Sequence, residues 1–404
     1  MKTCILIPIL CTQSFANYQY PSNPPAYNPG PWNNPQQKRH VQWDIREGKV
    51  RSKGVNLGGW LVLESWMTQG SDFWKNFDEA TQKQGEYRIM KALGHQVADP
   101  LVVKHRETWI TEQDIAKIAA SGMNLVRVST GYWITENLVP VAPHIQEDIS
   151  VHTPGGLLYL DRLIFDWAVK YNVAVIVSLH GHVNSQNGRD HSAAKEFQNP
   201  QWSNDPEAQK ASLEWAKFIA ARYRSSDSFL GMTLMNEPEY PTKVEDVKNF
   251  YNAAYQAIRS TGDSCILILC PMLTEQDNNH GWQNFMRTTY NVWHEWHPYF
   301  KWGYENQNMD QVLESVNKKG SDIAAWTGNC LFIGEWSMDS SDSANFEARR
   351  ETLTNFGNVQ KNAFKRAACG TTFWSWRASD PLTINYGWSM NELIQENLLG
   401  MGDA

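Results

Sequence analysis

Two glutamates stand at the ends of otherwise apolar runs. Leu230-Gly-Met-Thr-Leu-Met-Asn236 leads into Glu237 and Pro238, and Leu331-Phe-Ile-Gly leads into Glu335 and Trp336. A carboxylate at the end of a buried strand costs desolvation free energy unless it is paired or hydrogen-bonded. A purely structural role is therefore expensive, although an ion pair with Arg127 would supply one. The chemical role is more specific. Two carboxylates flanking a scissile bond are what glycoside hydrolysis requires. In the retaining geometry they sit roughly 5–5.5 Å apart, one as nucleophile and the other as acid and then base. The acid must hold its proton near working pH, and both partial burial and a neighbouring carboxylate raise a carboxyl pKa.

Such a pair needs a scaffold that brings distant strand ends together. Eight strand-like runs follow residue 50: Gly54–Trp60, Asn124–Thr130, Asn172–His180, Phe229–Glu237, Cys265–Cys270, Asn291–Tyr299, Cys330–Trp336 and Cys369–Trp376. Several are continuously apolar, such as Val173-Ala-Val-Ile-Val177, as parallel strands covered on both faces are. Helical stretches lie between them. In one, Leu213, Ala216, Ile219 and Tyr223 share a face behind Pro206, and 345–367 is another long candidate. This alternation predicts an α/β fold, a single-domain (β/α)8 TIM barrel, whose active site gathers at the strands' C-terminal ends. The exits carry Glu64 and Trp66, Arg127, His180, Asn236-Glu237, His294 with His297 and Tyr299, Glu335-Trp336, and Trp374-Ser-Trp-Arg377. One polar or aromatic exit means little; seven of eight converging on one mouth describe a cleft.

The chain of 404 residues suits one barrel with a short tail. Lys and Arg total 36 against 43 Asp and Glu, a net charge of −7, with no basic stretch. That balance argues against nucleic acid and other polyanions as partners. Nineteen tryptophans are the unusual count. Most fill core space, and several are expected in a groove, where indole faces stack on sugar rings. Residues 1–16 read as a secretory signal: Lys2, an apolar run from Cys4 to Cys11, and a small-x-small site ending at Ala16. The run is far below the ~18–20 residues that span a bilayer. Residues 17–40 form a Pro- and Asn-rich linker or pro-segment closed by Lys38-Arg39, and 41–404 the catalytic domain. Secretion, to an extracellular or cell-wall location, is expected. The mature chain would keep Cys265, Cys270, Cys330 and Cys369, which either pair in one of three ways or stay as buried thiols.

At these residues the sequence resembles glycoside hydrolase family 5, especially its fungal-type exo-β-1,3-glucanase subfamily, over roughly residues 50–395. The motifs that carry the likeness are Gly54-Val-Asn-Leu-Gly-Gly-Trp-Leu-Val-Leu-Glu64, Val126-Arg127-Val with Gly131-Tyr-Trp133, Leu179-His180-Gly181 with Ser185-Gln-Asn-Gly188, Asn236-Glu237-Pro238, Phe332-Ile-Gly-Glu335-Trp336 and Trp374-Ser-Trp-Arg377. The resemblance implies Glu237 as acid/base and Glu335 as nucleophile. It implies Asn236 on the sugar 2-hydroxyl and Arg127 orienting Glu335. His180, His297 and Tyr299 would shape the first subsite. Glu64, with Trp66 beside it, would bind the terminal glucose, and Trp374 would be its stacking floor. Departures cluster on the leaving-group side. His182-Val183-Asn184 replaces the family's usual Ala-Pro-Gly, Arg189 stands where an aromatic often guards that side, and the sixth strand is rich in Trp and His.

The expected activity is hydrolysis of β-1,3-glucan from its ends, releasing glucose by double displacement. An endo-β-1,4-glucanase or glucanosyltransferase of the same family is the nearest alternative, and a non-catalytic glucan-binding barrel the alternative from another class. The expected partner is a β-glucan polysaccharide or oligosaccharide, for a monomer with no membrane span. No cofactor is expected, since no Gly-x-Gly-x-x-Gly follows the first strand. No metal is expected, since His294, Glu295 and His297 lack His-Glu-x-x-His spacing and alternate across a strand. No Gly-x-Ser-x-Gly elbow supports a serine hydrolase.

Overall fold

The computed structural model describes residues 39–340, 346–379 and 387–399. The signal reading at 1–16 and the segment from 17 to Lys38 lie outside the described residues. Arg39 and His40 lie inside: Arg39 pairs with Glu47, and the His40 side chain accepts from the Gln42 amide to cap the helix Val41–Arg46.

Eight strands close into one parallel barrel in chain order. They are β1 Ser52–Asn56, β2 Leu125–Gly131, β3 Ala174–Gly181, β4 Phe229–Thr233, β5 Ile266–Leu269, β6 Val292–Trp296, β7 Cys330–Ile333 and β8 Gly370–Phe373. β8 pairs back onto β1, with Gly54 opposite Thr372. The expected (β/α)8 barrel is the fold. β3 is buried along its whole length, as the continuous apolar run Ala174–Val177 at its start leads one to expect.

The ladders stop earlier than the apolar runs. β4 ends at Thr233, four residues before Glu237, and β7 ends at Ile333, two before Glu335. Past those points the backbone serves the cleft rather than the sheet, and Pro238 has no N–H to continue a ladder. The helical half of the repeat has one exception. Between β5 and β6 the described chain has only the 3-10 turns Leu273–Glu275 and Trp282–Asn284. Pro271, Gly281 and the polar run Gln276-Asp-Asn-Asn-His280 give that stretch no apolar helical face. In the helix Pro206–Tyr223 the buried stripe runs through Ser212, Trp215, Ala216, Ile219 and Tyr223, so Leu213 sits at its edge.

The barrel's lower half is an apolar plug. Leu125, Ala174, Ile176, Leu230, Ile266, Ile268, Trp293 and Phe332 fill it, and Ile45 from the helix Val41–Arg46 closes it from below. Arg46 anchors that helix by donating to the carbonyls of Phe229 and Leu230. Eight tryptophans, Trp60 and Trp376 among them, are fully buried and serve packing. Cys330 and Cys369 form a disulfide, while Cys265 and Cys270 are buried free thiols, so each of the two readings of the cysteines holds for one pair. The bond joins the start of β7 to the residue before β8, a seam with a single register pair, Ile333 opposite Thr371. Replacing both cysteines by Ser should lower stability by about 2–4 kcal/mol, read as a fall in thermal midpoint, with kcat retained because the bond lies at the barrel's far end from the cleft. An unchanged midpoint would mean that the seam holds without it.

Candidate active site

The cleft is built around Arg127. β2 places its side chain inside the barrel with no exposed surface. Nη1 donates to Asn56 Oδ1 on β1 at 3.0 Å and to Glu335 Oε1 beyond β7 at 2.9 Å. Nη2 donates to Asn236 Oδ1 at 2.7 Å, and Nε lies 2.9 Å from Glu295 Oε1 on β6. One guanidinium thus ties four strands. The other oxygen of Glu335, Oε2, accepts from the Tyr299 hydroxyl at 2.9 Å.

Glu237 faces Glu335 through His297. His297 Nδ1 is 2.7 Å from Glu237 Oε1 and 3.7 Å from Glu335 Oε2, and its Nε2 is 3.1 Å from Glu295 Oε1. Ligand-type atoms of Glu237, His297 and Glu335 all lie within 4.8 Å of one another. Such spacing would also suit a divalent cation. Against that, Arg127 and Tyr299 already donate to both oxygens of Glu335, and the guanidinium repels a second cation. The separation fits the short carboxylate pair of a retaining glycosidase rather than the roughly 6.5–9.5 Å of an inverting one.

Glu237 has φ of +43°, a left-handed backbone that a non-glycine residue adopts only under constraint. The loop after β3 supplies the constraint. Gln186 Nε2 donates to the carbonyls of His180 and Asn236, Asn187 Nδ2 donates to the Glu237 carbonyl, and the Glu239 amide donates back to the Gln186 carbonyl. Arg189 closes the set with two hydrogen bonds to Glu239 at 2.9 and 2.8 Å.

The rest of the cleft is aromatic and acceptor-rich. His180 stacks on Trp374 with ring centres 5.7 Å apart and planes 18° apart. Burial, and then the nearby His191, push the His180 imidazole well down, so it is neutral. Trp66 donates to Glu64 Oε2 at 2.9 Å, while Glu64 Oε1 is buried with no hydrogen-bond partner among the described residues. Trp66, Trp388, Tyr299 and the exposed Trp302 form a continuous chain of ring contacts. Ten of the residues singled out from the sequence meet in this one cleft: Glu64, Trp66, Arg127, His180, Asn236, Glu237, His297, Tyr299, Glu335 and Trp374. Four other residues read at the strand exits do not: His294 packs on Trp326, Trp336 packs on Phe364 and Phe373, and Trp376 and Arg377 donate to Asp114.

Sequence reasoning missed Glu295 as part of it. This carboxylate is fully buried, faces Arg127 and His297 through Oε1, and accepts from Thr233 at 2.7 Å through Oε2. Strand alternation was the available signal. His294 points the other way, onto Trp326, while Glu295 points into the barrel. Gly334 is the complement of Glu295: a Cβ there would lie 1.6 Å from Glu295 Oε1.

The charges can be counted. Glu237, Glu295 and Glu335 against Arg127 and a protonated His297 give −3 + 2 = −1. Burial alone would push His297 down, but Glu335, Glu237 and Glu295 outweigh it and raise the imidazole to about 10. Burial pushes Glu237 up, and the His297 hydrogen bond outweighs that and holds the carboxyl at about 2 in the open cleft. Burial also pushes Glu335 up, with the Glu237 charge adding to it. One further proton makes the cluster neutral. Arg127 and Tyr299 donate to both oxygens of Glu335, which suits its anion. The open position is Glu237 Oε2.

This arrangement, a (β/α)8 barrel with a hydrogen-bonded carboxylate pair at its mouth, defines the class of barrel glycoside hydrolases. The profile described as Cellulase (glycosyl hydrolase family 5) matches residues 90–380. A probable glucan 1,3-beta-glucosidase A of Emericella nidulans is 32% identical over 74% of this chain and 69% of its own length. The glucan 1,3-beta-glucosidase of Candida oleophila is 30% identical over 76% and 72%. The rutinosidase from Aspergillus niger superposes with a TM-score of 0.72 at 18% identity, over 87% of this chain and 99% of its own, a likeness of fold. The chain belongs to glycosyl hydrolase family 5.

His297 is raised in the folded protein, so the stabilisation from its charge is complete below about pH 6.5 and lost as pH climbs towards about 10. The thermal midpoint of the wild type should therefore fall more steeply between pH 7 and 10 than that of His297→Asn. Parallel curves would contradict the charged state assigned to His297.

Proposed function

We propose that the protein is a retaining glucan exo-1,3-β-glucosidase that releases glucose from the ends of β-1,3-glucan. One observation carries the reading: Glu237 and Glu335 share a cleft through His297, while Arg127 and Tyr299 donate to both oxygens of Glu335. The names of the relatives supply the linkage. The buried, unpartnered Glu64 Oε1 supports a terminal sugar, because it offers an acceptor to that sugar's hydroxyls.

The chemistry follows from the donors. A sugar filling the cleft displaces water, and desolvation favours the neutral cluster, with the added proton on Glu237. Glu335 attacks the anomeric carbon while Glu237 gives its proton to the departing oxygen. Arg127 and Tyr299 hold Glu335 in line for that attack. Once Glu335 is esterified its negative charge is gone, which lowers the proton affinity of Glu237. Glu237 then takes a proton from water as that water cleaves the ester. Asn236, fixed between Arg127 and His180, presents its amide to the sugar 2-hydroxyl. Trp374, with His180 stacked on it, floors the ring. Secretion completes the proposal, supported by the leader-like N-terminus and by a disulfide that an oxidising compartment would keep.

Laminarin should yield glucose from the earliest time points, in the β-configuration when followed by NMR. A ladder of oligomers would replace exo by endo action, and α-glucose would refute double displacement. Glu335→Gln should lower kcat by more than about 10⁴-fold while the thermal midpoint stays near that of wild type; a fully active variant would remove Glu335 from the nucleophile role.

A further inference from the structure

The two oxygens of Glu237 face different surroundings. Oε1 is held by His297 on the side of Glu335. Oε2 instead meets His191 Nε2 at 3.6 Å. A group beside Oε2 lies where the departing half of the substrate must pass, because Oε2 is the open oxygen that would reach the bond being broken.

His191 is held firmly at that place. It sits in the 3-10 turn Asp190–Ser192, whose Ser192 hydroxyl hydrogen-bonds both the Ser185 hydroxyl at 2.6 Å and the Arg189 carbonyl at 2.9 Å. Its ring meets that of His180 edge-on at 5.5 Å. About a fifth of the side chain is open to the cleft, and its Nδ1 is buried without a hydrogen-bond partner among the described residues. Next to it, the half-exposed Arg189 forms an ion pair with the mostly buried Glu239. This side of the cleft is therefore polar, with the His191 imidazole 3.6 Å from the acid's second oxygen.

We propose that His191 is a specificity-determining residue: it hydrogen-bonds a hydroxyl of the departing sugar and so selects sugar over alkyl or aryl leaving groups. The proposal rests on the glucosidase reading above. An imidazole suits the task because its exposed ring nitrogen can donate or accept, as a hydroxyl does. The ion pair of Arg189 and Glu239 flanks the turn that carries His191.

The test compares kcat/KM for laminaribiose, n-propyl β-glucoside and 4-nitrophenyl β-glucoside in wild type, His191→Ala and His191→Gln. In His191→Ala the ratio of laminaribiose to propyl glucoside should fall about tenfold, the worth of one well-placed hydrogen bond. His191→Gln should restore most of it. A parallel fall for laminaribiose and propyl glucoside with the aryl glucoside spared would mean that His191 acts through the proton of Glu237, and would overturn the proposal. Equal changes on all three, or none, would overturn it as well. A wild type inert towards all three would strike down the glucosidase reading, and this proposal with it.

Discussion

A single buried guanidinium organises this protein. Arg127 has no exposed surface, and it contacts Asn56, Asn236, Glu295 and Glu335, which leave or lie on four different strands. An unpaired cation in that position would be prohibitively costly, so the carboxylates are as necessary to Arg127 as it is to them. The barrel supplies the geometry. Parallel strands in chain order bring residues of β1, β4, β6 and β7, far apart in sequence, within reach of one side chain on β2.

The barrel divides into two halves with different physics. Below, Ile45, Leu125, Ile266 and Phe332 make a dry plug that needs only volume and shape. Above, the same strands end in charges whose sum matters. Glu295 joins the halves: it receives a hydrogen bond from Thr233 beneath the cleft and an ion pair from Arg127 within it, and Gly334 leaves it the space. The loop after β3 is a second support, and it acts on backbone rather than charge. Its hydrogen bonds to residues 236–239 hold Glu237 in a left-handed conformation that the local sequence alone would not choose.

Much of this was legible in the sequence. Continuous apolar runs such as 173–177 gave the strands, their alternation with helical stretches gave the barrel, and polar residues at strand exits gave the cleft. What stayed hidden depends on three-dimensional partners. Glu295 lies inside a strand, and only the direction of its side chain distinguishes it from a surface glutamate. His191 lies in a loop whose path no periodicity describes. The strand ends were read too long because apolar residues continue past the ladders, where Leu234 and Met235 still pack although the chain has begun to bend. The link between β5 and β6 broke the expected repeat for a local reason, the absence of an apolar helical face in residues 271–291.

The row of rings from Trp66 through Trp388 and Tyr299 to Trp302 has an optical consequence. Most of the molecule's indoles are sealed from water and emit from a constant environment, whereas Trp302 is 62% exposed and its ring lies 5.7 Å from that of Tyr299. Water displaced by a sugar beside Tyr299 is water taken from around that one indole. Occupancy of the cleft is thereby written into the protein's own fluorescence, with no label attached.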